Sequence, residues 1–271
     1  MSKHLRIWLF VLLGTLLAST TLLAQGVITM TTSKAVGEKI GLSIKVNGNV
    51  TIEGAQDTGE TDDYGRKSYR LTSQTITIRG DVTTLDCSFN QLTSLDVSKN
   101  TALTYLNCGW NSLTSLDLSQ NTALTELNCS DNKLTSLDVS KNTTLLKLLC
   151  FSNQLTSLKL PKSTALTTLD CSFNQLTSLD VSKNTALTVL GCNGNKLTSL
   201  DVSKNTALTE LDCNGNKLTN LNLSGCARLE MLFCASNYIK GKAMTKLVNS
   251  LPNRRGMSRG TLFRLIGQNG G

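Results

Sequence analysis

The sequence predicts a mostly β repeat solenoid of α/β type, and three observations carry that prediction. Eight cysteines, Cys87, Cys108, Cys129, Cys150, Cys171, Cys192, Cys213 and Cys234, stand at a strict spacing of 21 residues. The stretch TTLDCSFNQLTSLDVSKNTALT occurs twice without change, at 83–104 and 167–188. Every unit follows L-x-x-L-x-C-x-x-N-x-L-T-S-L-D-V-S-K-N-T-A, with seven full copies over 82–228 and a degenerate eighth opening at Leu229. A unit this short cannot bury its leucines alone, so consecutive units stack, each covering the apolar edge of the one before.

Residues 1–24 come first in the chain and stand apart from the repeat. A short basic start (Lys3, Arg6), an apolar run over 7–18 and small residues before Gln25 have the form of a secretory signal peptide. The run is short for a membrane span, which needs roughly 20 apolar residues. Its removal leaves 25 basic and 19 acidic residues, so the formal charge falls from +8 to +6. That surplus steers toward acidic polymers without naming one. The only histidine, His4, leaves with this segment, which excludes Ser-His, Cys-His and His-metal chemistry from the remainder.

Residues 25–81 hold β-type runs (VITMTT, IGLSIKV, VTIE, SYRLT, TITIRG) and are expected to form a small β-rich N-terminal cap. Asn47-Gly48-Asn49 is expected to turn a hairpin between the second and third runs. The acidic, polar stretch 56–66 (QDTGETDDYGR) is expected to be a solvated loop, its spacing being unlike that of an EF-hand. The last strand, 75–78, is expected to pair with the first coil.

Residues 82–240 form the solenoid. Within L-x-x-L-x-C the period is two, so Leu106 and Cys108 face inward from a short strand while Tyr105, Asn107 and Gly109 face out. A second apolar set, Leu113, Leu116 and Leu118, returns along the opposite side. Asparagine holds the ninth position throughout: Asn90, Asn111, Asn132, Asn153, Asn174, Asn195, Asn216 and Asn237. A sharp buried turn leaves backbone groups unpaired unless a side-chain amide satisfies them, and an asparagine ladder does so in every coil.

Three roles compete for the cysteine column. Equivalent residues on adjacent parallel strands lie about 4.8 Å apart and point the same way. Disulfides require Cβ atoms about 3.8 Å apart on converging vectors. A thiolate metal site needs sulfurs in a tetrahedron, which a straight row does not offer. Packing as small apolar groups is therefore the favoured role. Cys226 lies off the column, where other units have asparagine (compare Asn100), either as a free thiol or bonded elsewhere.

Residues 241–271 are expected to form a C-terminal cap of helix plus strand. Ala243, Met244, Leu247, Val248 and Leu251 share one helical face and Pro252 ends the helix. A basic loop with Arg254, Arg255 and Arg259 then leads to a strand at 261–266.

L-x-x-L-x-C-x-x-N-x-L resembles the leucine-rich repeat. The 21-residue period, with cysteine in place of the last strand leucine, is similar to the internalin-J-like repeats of bacterial surface proteins. The resemblance implies a curved, right-handed coil with parallel strands on its concave face, a surface or extracellular location, and adhesion or protein binding. This sequence ends in GQNGG, without the wall-binding module of longer surface-anchored members.

Outward strand positions vary without harming the stack, so recognition is expected there. The fourth unit is the outlier: Leu149 and Phe151 put apolar groups beside Lys147, with Tyr105, Trp110 and Glu126 on the preceding coils. Apolar anchors among charged neighbours are the usual anatomy of an interface. The competing account has Phe89, Trp110 and Phe173 tucked into the turn as packing. On the return side, Asp96, Asp117, Asp138, Asp180 and Asp201 alternate with Lys99, Lys141, Lys162, Lys183 and Lys204, columns expected to neutralise each other.

These residues predict an exported, non-catalytic, adhesin-like protein that binds a protein on a host or bacterial surface. The alternative is a glycan- or polyanion-binding matrix component that uses the lysines and the basic loop. No cofactor, metal, nucleic acid or membrane span is expected.

Overall fold

The computed structural model describes residues 26–252 and the backbone of Phe263–Arg264. The expected signal peptide and the basic loop lie outside these residues, as does most of the last strand.

Period-two burial creates the strands on one side of each coil. They are the end of β5 (Thr75–Asp86), β7 (Tyr105–Asn107), β8 (Glu126–Asn128), β10 (Lys147–Leu149), β12 (Thr168–Asp170), β13 (Val189–Gly191), β14 (Glu210–Asp212) and β15 (Met231–Phe233). Each pairs in parallel with its neighbour at a constant offset of one unit, as in Leu106↔Leu127 and Leu148↔Leu169. The final strand, β16 (Phe263–Arg264), extends the same sheet from β15. Inward leucines such as Leu106 and Leu148 are fully buried, and each stabilises the stack by about 2 kcal/mol. On the return side Leu113 and Leu118 are buried and Leu116 partly so. There β9 (Ser136–Asp138) and β11 (Ser157–Lys159) form a separate two-stranded ladder.

The cap is β-rich as expected but wired differently. β1 (Val27–Thr32) runs antiparallel to both β5 and β6 (Leu92–Asp96), so it closes the open end of the first coil on both sides. β2 (Lys39–Glu53) is one continuous strand against β5. Asn47-Gly48-Asn49 forms a bulge there rather than the expected hairpin, and Gly80 opposite leaves room for it, since a Cβ would lie 2.7 Å from the Asn49 carbonyl oxygen. β2 ends before Gly54 (φ 85°), where a Cβ would sit 2.2 Å from the Thr75 carbonyl oxygen.

The stretch expected as a solvated loop is mostly β3 (Ala55–Thr61), paired with β4 (Lys67–Leu71). Its turn is held by Arg66, which is 5% exposed and ion-paired to Asp62 and, at 3.3 Å, to Asp86 of the first coil. Arg66 also donates to the Ser88 carbonyl and hydroxyl, fastening cap to solenoid. β5 itself crosses the cap boundary read at 81/82 and is far longer than the expected 75–78.

At the other end α1 (Lys242–Ser250) buries Leu247 and half-buries Ala243 and Met244, but Val248 is exposed, since a helix this short covers the final coil with a narrow stripe. Among the described residues no helix is long and apolar enough to cross a membrane.

Candidate binding surface

The cysteine column lines the core behind the strands. All nine cysteines are free and buried, as packing requires. Burial pushes the thiols of Cys129 and Cys171 up to about 12, so they stay protonated and unreactive. Each column cysteine is followed, three residues on, by the asparagine that closes the turn. Asn153 Nδ2 donates to the carbonyls of Cys129 (3.0 Å), Cys150 (3.2 Å) and Phe151 (3.3 Å), while its Oδ1 accepts the Leu134 N–H (3.0 Å). Asn132, Asn174, Asn195 and Asn216 repeat this pattern, each amide joining two coils. Asn111 and Asn237 bind likewise, and Asn90 donates to the Gly41 carbonyl of the cap as well as to Cys87.

A second asparagine column, Asn100, Asn121, Asn142, Asn184 and Asn205, is almost wholly buried on the return side. Asn142 Nδ2 donates to the carbonyls of Leu118 (3.1 Å) and Asn121 (2.8 Å). Cys226 belongs to this column rather than to a loose turn. Its Sγ lies 3.6 Å and 3.9 Å from the equivalent carbonyls of Val202 and Asn205, so the thiol stands in for an amide donor.

The aspartate column behaves differently from the expected neutralisation. Asp96, Asp117, Asp138, Asp180 and Asp201 each accept the N–H of the serine two residues on, which fixes a local turn. Among the described residues the one ion pair in these columns is Lys159 with Asp138 of the preceding coil, at 3.0 Å and exposed. Hydrogen bonds from Ser140 and then Lys159 hold the Asp138 carboxyl down at about 2.

On the strand face Tyr105 and Glu126 are half-buried neighbours in register, followed by exposed Lys147, with Leu149 half-buried beside it. Trp110 and Phe151 are brought together edge to face, ring centroids 6.0 Å apart. The structure extends this contact beyond the residues singled out above. Phe89 stacks on Trp110 at 4.7 Å, and Tyr64 of the cap stacks on Phe89 at 4.9 Å. Arg66 lies over the Tyr64 ring. Phe89 and Trp110 are each 38% exposed and Phe173 59%, so the packing account of these three gives way to an exposed aromatic ridge.

The ridge follows the eighth position of the unit, where the backbone is left-handed. Phe89 (φ 57°), Trp110 (φ 52°) and Phe173 (φ 53°) adopt a conformation that Gly194 and Gly215 supply without strain in later coils. The two glycines were the sequence signal that this position is special. Gly194 has a further role, since a Cβ there would lie 2.8 Å from the Phe173 ring.

A leucine-rich-repeat model, in two copies, matches residues 164–205. No curated protein matches the chain in sequence. Among solved structures, the functional domain of InlJ from Listeria monocytogenes, which includes a cysteine ladder, is 33% identical over 66% of this chain and 50% of its own, with a TM-score of 0.38. A leucine-rich-repeat protein of Leptospira interrogans is 28% identical over 61% of this chain and 46% of its own, with a TM-score of 0.54. A Shigella effector leucine-rich-repeat domain is 26% identical over 62% and 74%, with a TM-score of 0.51. The chain thus spans about half the length of the first two. Repeat register and fold agree: the described residues form a leucine-rich-repeat coil with a buried column of cysteines.

Proposed function

We propose that the chain is an exported, non-catalytic, adhesin-like protein that holds a protein partner on its strand face. One observation carries this reading: Phe151, at a position otherwise small or polar in the repeat, meets Trp110 of the aromatic ridge on the surface. Rigid stacking fixes these side chains before binding, so little ordering entropy is lost on association. The test is recovery from host and bacterial surface extracts by wild type and by the Leu149→Ser, Phe151→Ser double variant. The wild type retains a partner that the variant loses at least tenfold, and equal recovery overturns the reading.

A second reading, binding of an acidic glycan, rests on the return face. There the aspartates are engaged by their own serines, and Lys99, Lys141, Lys183 and Lys204 stand exposed. Such binding collapses at high salt, whereas an aromatic contact persists.

A further inference from the structure

Charge is segregated in this molecule. The chain carries +8 overall, yet the outward strand positions of the eight coils hold five carboxylates, Asp86, Glu126, Asp170, Glu210 and Asp212, against a single lysine, Lys147. Asp86 is engaged by Arg66, but none of the other four has an ion-pair partner among the described residues. The lysine column of the return side, Lys99, Lys141, Lys162, Lys183 and Lys204, lies opposite, and the lysines nearest the ridge, Lys133, Lys196 and Lys217, stand two residues beyond its positions.

The aromatic ridge borders this acidic face. Asp131 occupies the ridge position on the coil between Trp110 and Ser152, where Phe151 leans across to reach Trp110. Its carboxylate has neither an ion pair nor a hydrogen-bond donor among the described residues. Burial nevertheless pushes its carboxyl above the usual range, and the same cause raises that of Asp212. Partly buried carboxylates without a paired cation attract one, and aromatic rings beside them favour it further. Phe89, Trp110 and Phe173 hold the same left-handed position as Asp131, so the rings and this carboxylate line one edge of the coil stack.

We propose that the ridge and the adjoining strand face form one docking surface for a cationic segment of a partner protein. An aliphatic or aromatic side chain of that segment packs against Trp110 and Phe151, and its lysines or arginines pair with Asp131, Asp170 and Asp212. The proposal rests on the protein-binding reading above and specifies the partner's chemistry. Potentials of opposite sign speed encounter and exclude wrong partners, so the face rejects acidic polymers even though the molecule as a whole is basic.

The test uses the full chain with Trp8→Phe, which leaves Trp110 as the sole tryptophan, so its fluorescence reports the ridge. Three synthetic 12-residue peptides share one leucine-serine frame and carry four basic residues, none, or four glutamates; heparin serves as a polyanion. The basic peptide shifts the Trp110 emission and binds at least tenfold more tightly than the neutral one. The Asp170→Asn, Asp212→Asn variant loses about tenfold for that peptide alone, and so does Asp131→Asn. Trp110→Gly, read by calorimetry without Trp8→Phe, abolishes peptide binding while the circular dichroism of the coil is retained. Equal affinity for all three peptides overturns the charge inference and leaves the protein-binding reading standing. Binding of heparin alone, unaffected by these variants, overturns both. Peptide binding undiminished in Trp110→Gly also overturns the proposal.

Discussion

Each coil has a strand edge and a return edge, and the two solve the same problem with different completeness. On the strand edge the ninth-position amide has both its donor and its acceptor engaged, and a buried thiol stands beside it. On the return edge Asn100, Asn121, Asn142 and Asn205 donate well, but their buried Oδ1 atoms accept from no group among the described residues. Replacing a fully engaged amide orphans the partners of both its donor and its acceptor, whereas replacing a half-engaged one orphans only the carbonyls it donates to. The sequence shows the result. The ninth position is asparagine in all eight units, while the return column admits Ser163 and Cys226.

The largest way to break the strand edge is alkali. The folded thiols hold protons that the unfolded chain releases above about pH 8.5. Their stabilisation is therefore complete below that pH and is lost as pH rises toward the folded values of about 12 at Cys129 and Cys171. Each fully buried thiol removes about 1.4 kcal/mol of stability per pH unit in that window. Denaturant midpoints measured under reducing conditions should be flat to about pH 8 and then fall steeply. In Cys150→Ala the slope should be shallower by one proton.

Next in size is Asn153→Ala, which orphans the buried Leu134 N–H and the carbonyls on two coils. A loss of about 3 kcal/mol in unfolding free energy is expected from denaturant titration. The smallest effect belongs to the return edge. Asn142→Ala is expected to cost about 1 kcal/mol, because the oxygen removed was already unpartnered, and Asn142→Cys less still, since Cys226 shows that a thiol reaches the same carbonyls. Equal losses at Asn142 and Asn153 would erase the distinction between the edges.

Much of this was legible because the repeat is nearly perfect. Thiol spacing, inward leucines and the ninth-position amide follow from periodicity and from the need to satisfy a buried turn. The return asparagines recur at the same spacing with two exceptions, but their depth was hidden by flanking serine, lysine and threonine, which suggest an exposed turn. Arg66 was illegible for a similar reason. It ends an acidic, polar run, and only the folded first coil brings Asp86 and Ser88 to it. Tyr64 and Phe89 were missed as part of the surface because a stack across coils leaves no mark in local pattern. The hairpin expected at Gly48 failed because a glycine at positive φ serves a bulge as well as a turn.

The shared strand β5 also sets an order of events. Its first half is locked antiparallel between β1 and β2, and its last three residues offer a parallel edge to β7. A chain emerging from its N-terminus thus completes a template, first coil included, before the second repeat arrives. Every later coil then zips onto a finished neighbour 21 residues back, so assembly proceeds by short steps in one direction.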